Sequence, residues 1–307
     1  MDIVIAGGSG FIGTALTRSL ADAGHRVVRM VRPGSPGGSG GSGGSGDTLA
    51  WDPAAGSIDA AGLEGVDAVV NLGGVGIGDR KWSPARKAEI RDSRLVTTRL
   101  LADTLAGLTR PPGVFVSASA VGYYGNRGDE ELTEASTPGD DFLAEVCVAW
   151  EDAAAPAAAA GIRTPLLRTG IVLHPSGGVL KQLLPPFRLG LGGRLGPGTQ
   201  YMSWITLADE VAAIRAAIDD PALTGPVNLT APNPVTNAEF TATMGKVLGR
   251  PTALPTPLLP LKLRFGAELV QHLLLDGQRV RPARLEATGF TFAHPHLEGG
   301  LRALLGR

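Results

Sequence analysis

After Asp2 the chain runs apolar without interruption through Ile3-Val4-Ile5-Ala6, then stops at a glycine cluster, Gly7-Gly8-Ser9-Gly10-Phe11-Ile12-Gly13. A short unbroken apolar run bounded by glycines predicts a buried strand. Beyond the cluster Leu16, Leu20 and Ala23 fall on one helical face, and Gly24 can end that helix. Residues 26–31 read as a second strand. Further on, 68–72 is a buried-type strand closing on Asn71-Leu72-Gly73-Gly74. It is followed by a long helix over 83–105, a strand over 114–117, a helix over 141–160 and a strand over 164–168. Strand and helix alternate, which predicts an α/β fold with a Rossmann-type, doubly wound parallel sheet and right-handed crossovers. Ligands of such sheets sit at the carboxyl ends of the strands. The turns at Gly7, Arg32, Gly73, Ser117 and Thr169 are therefore expected to face one cleft.

From about Gly170 the pattern loosens, and Pro175, Pro185, Pro186 and Pro197 mark long loops. Residues 206–217 predict a helix with Thr206 as N-cap and Asp209 in the capping-box position. Residues 227–230 read as a strand and 236–248 as a helix ended by Gly249. The tail from Pro251 holds an amphipathic helix near 261–275 and a short Gly289-Phe290-Thr291-Phe292 segment. The expected organisation is a large domain over 1–230, with a smaller α/β region on its substrate side from about 170, and a small C-terminal domain over 251–307. Residues 34–46, Gly34-Ser35-Pro36 followed by Gly/Ser repeats, read as a flexible surface tether without catalytic role. A natural insertion and an engineered loop replacement both fit that composition.

With 307 residues the chain can bury a full core. Its formal charge is -1, with 19% charged residues, which makes no case for nucleic acid or an acidic membrane surface as partner. The single cysteine, Cys147, excludes an internal disulfide framework and suits a reducing compartment. No apolar run approaches the roughly 18 residues of a membrane helix, and no signal peptide precedes the first strand. A soluble, cytoplasmic protein with a small-molecule substrate is expected, and its oligomeric state stays open. His294 and His296 lie near the C-terminus without a cysteine or carboxylate set, so no metal site is expected.

The glycine cluster carries the clearest chemistry. Gly8, Gly10 and Gly13 fit G-x-G-x-x-G, and Gly7, Gly10 and Gly13 fit G-x-x-G-x-x-G. Between a strand and a helix this pattern cradles a dinucleotide pyrophosphate on the unpaired amides and positive dipole of the helix N-terminus. Enzymes of NAD place an acid at the end of the second strand to hold the ribose hydroxyls. Here that place holds Val31, followed by Arg32. Absence of the acid removes repulsion toward a 2′-phosphate, and an arginine fork can bind it, so NADP is the expected cofactor. Arg29 is either a second phosphate ligand or an exposed strand residue.

The run Val116-Ser117-Ala118-Ser119-Ala120-Val121-Gly122-Tyr123-Tyr124-Gly125 resembles the Ser-bearing strand of extended short-chain dehydrogenases/reductases, the nucleotide-sugar epimerase and dehydratase group. Arg80-Lys81-Trp82, Ser93-Arg94, Trp150-Glu151, Arg168 to Leu173, Pro186 to Gly193 and Ser203-Trp204-Ile205 resemble one atypical, epimerase-like branch of unassigned activity. Gly277-Gln278-Arg279-Val280, Pro282 and Gly289-Phe290 resemble the small C-terminal domain of unknown function appended in that branch.

The resemblance implies a Ser that polarises a carbonyl or hydroxyl, a Tyr that exchanges its proton, and a Lys four residues on that lowers the Tyr pKa. Ser119 matches the Ser if Gly122 is an insertion. The Tyr-x-x-x-Lys is missing, and Leu143 and Cys147 stand in its two places. Tyr124 is then either a substitute acid–base or a packed aromatic, while Cys147 reads as a small core residue. The resemblance also implies cofactor contacts from Gly7, Gly10, Phe11, Ile12, Gly13, Val31, Arg32, Leu72, Gly73 and Val172. Arg94 either approaches the cofactor or lies on the helix surface, and Glu89 is expected in the same pocket. Gln200, Met202 and Trp204 are either substrate-pocket or core residues. Two functions follow from these features: an NADP(H)-dependent oxidoreductase or epimerase-like enzyme on a small polar or sugar-like substrate, or a catalytically silent NADP(H)-binding sensor.

Overall fold

The computed structural model describes residues 1–34 and 47–307. The tether expected over 34–46 therefore lies outside the described residues except for Gly34. In chain order the strands are β1 (Asp2–Ala6), β2 (Arg26–Val31), β3 (Thr48–Asp52), β4 (Ser57–Ile58), β5 (Ala68–Asn71), β6 (Val114–Ala120) and β7 (Glu131–Leu132). They continue as β8 (Pro165–Thr169), β9 (Ile171–Leu173), β10 (Tyr201–Met202), β11 (Trp204–Thr206), β12 (Gly225–Leu229), β13 (Val235–Thr236) and β14 (Arg279–Val280). The helices are α1 (Phe11–Asp22), α2 (Pro84–Ala106), α3 (Phe142–Ala153), α4 (Ala155–Ala159), α5 (Gly178–Arg188) and α6 (Leu207–Asp219). After them come α7 (Asn237–Leu248), α8 (Leu258–Phe265), α9 (Ala267–Val270), α10 (Ala283–Ala287) and α11 (Leu297–Leu305).

Eight strands form the main sheet in the order β12-β8-β6-β5-β1-β2-β3-β4. All its pairings are parallel except β3 with β4. From β1 the chain builds outward through β2 to one side and from β5 to the other. The switch point therefore lies between β1 and β5, where an open α/β sheet leaves a crevice at its carboxyl edge.

Both faces of the sheet are covered, which is why its central strands read as unbroken apolar runs. On one face Ile3, Ile5, Val70 and Val116 pack with Leu16 and Leu20 of α1 and Val211 and Ile214 of α6. On the other, Val4, Ala6, Val69 and Phe115 pack with Leu101 and Leu105 of α2. A third cluster joins Leu180, Leu184 and Phe187 of α5, Phe240 and Met244 of α7, and Leu297 and Leu301 of α11 around Trp204. Besides other contacts, the C-terminal region is tied back by a strand pairing and by a buried acid. β14 pairs with β7, and Asp209 accepts from the backbone amides of Ala293 at 2.7 Å and His294 at 3.1 Å.

Several elements differ from the sequence reading. The helix expected over 141–160 breaks into α3 and α4, because Pro156 supplies no N–H to an uninterrupted ladder. The amphipathic helix expected near 261–275 starts earlier, at Leu258, and breaks at Gly266. The segment expected as loop around Pro185 and Pro186 is α5, whose apolar face on the third cluster outweighs its two prolines. β6 runs on to Ala120, so Ser119 belongs to a strand of the sheet.

Candidate functional site

The β1–α1 turn sits at the switch point. Gly7 has φ 81°, and a Cβ there would lie 2.8 Å from the Leu72 carbonyl. A Cβ on Gly13 would stand 2.2 Å from the Gly7 oxygen, which packs the first turn of α1 onto the loop. The Gly10 amide donates to the Gly7 carbonyl at 3.0 Å and closes the turn. α1 has Gly10 as N-cap, no side-chain cap and no acid in its first turn. Its leading amides, at Phe11, Ile12 and Gly13, are therefore available to an anion. Phe11 packs against Gly177, where a Cβ would approach the ring at 2.4 Å, so the segment after β9 closes over this end of α1.

β2 ends at Val31, half-buried and paired with Ala50 of β3; Arg32 follows it, exposed. Arg29 is not a bare strand residue. Its stem crosses Gly8, with Cγ 3.1 Å from where a Cβ would stand, and this places the side chain alongside the glycine turn. On the other wall, Asn71 Oδ1 accepts from the Gly73 amide at 3.1 Å, and Asn71 Nδ2 donates to Thr98 at 2.8 Å. Those bonds hold Leu72 and Gly73 against Gly7. Arg94 belongs to this wall rather than to the helix surface. Its guanidinium donates to the carbonyls of Ile90 at 2.9 Å and Val75 at 3.1 Å, and lies 5.0 Å over the Trp150 ring. Glu89 sits elsewhere: it is exposed and accepts from Arg86 at 2.7 Å and Arg80 at 3.2 Å, in a separate cleft of about 220 Å³. The two arginines, Arg86 foremost, hold its carboxyl below the usual range.

Beyond this wall lies a buried polar network. Ser119 Oγ donates to Glu151 Oε1 at 2.7 Å, and Arg168 donates to both oxygens of Glu151 at 2.8 Å. The pair is out of solvent, the Arg168 side chain 3% and Glu151 9% exposed. Arg168 also donates to the Tyr124 hydroxyl at 3.0 Å and stacks 3.4 Å over the Tyr123 ring. Tyr124 donates in turn to Asn228 Oδ1 at 2.7 Å. Tyr124 is wholly buried, and burial pushes its phenol up to about 12. The substitute acid–base expectation thus meets a hydroxyl with both its donor and acceptor roles filled, in a fully packed ring. The burial of Cys147 raises its thiol to about 12, in keeping with a core residue.

Val172 is buried in β9 beside Ile205, within the first core cluster. Trp204 is core as well, its indole N–H donating to Asn233 O at 3.1 Å. Gln200 straps two loops together through the carbonyls of Leu195 and Leu274, while its Oε1 stays buried and unpartnered. Sequence reasoning missed Glu210. It is fully buried at the start of α6, accepts from Thr169 at 2.9 Å through one oxygen and leaves the other without a partner. Burial raises its carboxyl to about 8. Roles for Glu151 and Arg168 were missed too, although both stand in segments the resemblance singled out. Among the described residues Asp141, His272 and Asp276 bring ligand-type atoms within 4.8 Å of one another. His272 Nδ1 lies 2.7 Å from Asp276, and the group joins the start of α3 to the end of the C-terminal π-turn at 271–275.

Comparison with known proteins agrees with this geometry. The model of the NAD dependent epimerase/dehydratase family matches residues 3–229, and a domain of unknown function (DUF1731) matches 256–304. An epimerase family protein of Mycobacterium bovis, Mb2239, is 48% identical over 292 residues, covering 95% of this chain and 93% of its own. The human epimerase family protein SDR39U1 is 37% identical over 308 residues, covering 99% of this chain and 100% of its own. The crystal structure of human SDR39U1 (isoform 2) with NADPH superposes with a TM-score of 0.87 at 35% identity, covering 100% of both chains. The chain belongs to the NAD dependent epimerase/dehydratase family.

Proposed function

We propose that this family member is an NADP(H)-dependent oxidoreductase or epimerase-like enzyme acting on a small polar, sugar-like substrate. The observation that carries the reading is the uncapped, acid-free N-terminus of α1, set against Leu72 at the switch point through glycines where any Cβ would collide with backbone. That cradle fits a dinucleotide. Phe11, Ile12 and Gly13 would hold its phosphates, and Leu72, Gly73 and Arg94 would wall it. Arg32, with Arg29 beside Gly8, favours the 2′-phosphate form, the form named with the human relative. The cofactor supplies hydride chemistry when bound.

Among the chain's own groups, Ser119 has its single proton committed to Glu151. Toward a substrate its oxygen is therefore an acceptor, which suits a hydroxyl-bearing molecule. Arg168 fixes Glu151 in place through both of its carboxylate oxygens. A silent NADP(H)-binding sensor is the second reading. It is favoured by the buried, fully bonded Tyr124 and by Leu143 and Cys147 standing where the family has its Tyr and Lys.

Fluorescence titration of NADPH and NADH against the wild type and Arg32→Ala tests the cofactor claim. NADPH is expected to bind more tightly, and the variant to lose about tenfold or more for NADPH alone. Equal wild-type affinity for both cofactors would overturn it. A panel of hydroxyl and carbonyl compounds, followed through cofactor absorbance, then separates the readings. Turnover supports the enzyme; tight binding without turnover supports the sensor.

A further inference from the structure

The largest exposed apolar side chains of the second half of the chain gather in two segments. Leu189 and Leu191 follow α5; Leu254, Leu259 and Leu263 lie in and before α8; each is 68–79% exposed. The segments run side by side. Leu195 bridges to Thr256, the Thr256 amide donates to Arg194 O at 2.9 Å, and its hydroxyl donates to Gly193 O at 2.9 Å. On α8, Leu258 faces inward toward Gly196, which leaves Leu259 and Leu263, one turn apart, pointing out.

Charge on these segments has one sign. Residues 178–200 carry Lys181, Arg188 and Arg194, residues 250–265 carry Arg250, Lys262 and Arg264, and neither stretch contains an acid. Among the described residues none of these six takes part in an ion pair, whereas cations elsewhere, such as Arg26, Arg127, Lys246 and Arg302, do. The flanking acids are engaged: Glu239 caps α7 with Thr236, and Glu268 pairs with Lys87.

We propose that this leucine and arginine/lysine face rests on a membrane surface carrying anionic phospholipid. Exposed leucines enter the headgroup boundary while the cations meet lipid phosphates, the arrangement of a protein that lies on a bilayer. Among the described residues no helix is long and apolar enough to cross one. A second copy of the chain fits less well, because a two-fold contact of this face would set like charges against one another. The proposal departs from the expectation drawn from the overall charge of -1, since that sum averages this face with acids elsewhere.

Flotation of the full chain with vesicles tests it, using phosphatidylcholine alone and phosphatidylcholine mixed equally with phosphatidylglycerol. Binding is expected on the mixed vesicles, weakening as salt rises. A Lys262→Gln/Arg264→Gln variant should lose roughly thirtyfold in partitioning, and a Leu259→Ser/Leu263→Ser variant at least about tenfold. Both should keep wild-type NADPH affinity, which shows they are folded. The proposal is overturned by no binding, by equal binding to the two vesicle types, or by variants that bind like the wild type. Self-association abolished by the leucine variant, with no lipid binding, overturns it in favour of an interface between copies.

Discussion

Replacing Glu151 by glutamine keeps the shape of the side chain and removes its charge. Arg168 is then left 3% exposed, with a neutral carbonyl where it had two carboxylate contacts at 2.8 Å. A buried cation stripped of its partner destabilises by about 3–5 kcal/mol, and salt screens it little because the pair is out of water. For a chain of this size that corresponds to a drop of roughly 5–8 °C in Tm. Denaturant titration and calorimetry of the wild type, Glu151→Gln, and the paired Glu151→Leu/Arg168→Met variant measure it. The paired variant should recover most of the loss, since the uncompensated charge is gone. A loss under about 1 kcal/mol in Glu151→Gln, or a paired variant no more stable than Glu151→Gln, would refute the claim that the two groups hold each other.

Gly13→Ala would drive a Cβ to 2.2 Å from the Gly7 oxygen, so the turn must open; NADPH affinity measured by fluorescence should fall at least about tenfold. Tyr124→Phe leaves Asn228 and Arg168 short of one bond each. It should lower stability by about 1–3 kcal/mol without changing turnover on any substrate found; a matching collapse of kcat would restore Tyr124 to the chemistry. Glu210 is protonated in the folded chain up to about pH 8 but ionised in the unfolded chain above its ordinary carboxyl range. The folded state therefore binds the extra proton, and stability should decline between those limits as pH rises, by up to about 1.4 kcal/mol per pH unit. Denaturation of Glu210→Gln against the wild type across that window reads the effect, and the variant should lack this part of the slope.

The β1–α1 turn was legible in the sequence because every part of it is local. An apolar run, glycines at fixed spacing and a helical face lie within one short stretch, and their backbone geometry does not depend on distant partners. The alternation of strands and helices set the doubly wound class for the same reason. Element boundaries drifted where packing overrode local preference. α5 forms despite Pro185 and Pro186 because its apolar face meets α7, and the helix from residue 141 stops early because of Pro156.

What Ser119 and Tyr124 can do was decided only by the fold. Adjacent pairing of β6, β8 and β12 brings Ser119, Arg168 and Asn228 together, and α3 lays Glu151 across them. Their bonds span 17 to 104 residues of sequence, so no spacing rule announces them. The cations flanking the exposed leucines, which form no ion pair among the described residues, escaped in the same way. Composition sums charges over the whole chain, whereas a surface acts through those that folding sets side by side. Sequence alone thus determined the doubly wound class and the nucleotide cradle, since short-range sterics and hydrophobic period suffice for both, whereas β3, β4 and the strand order came only with the fold. The tertiary structure decided which polar groups lost water and which gained partners, because desolvation and pairing depend on neighbours in space.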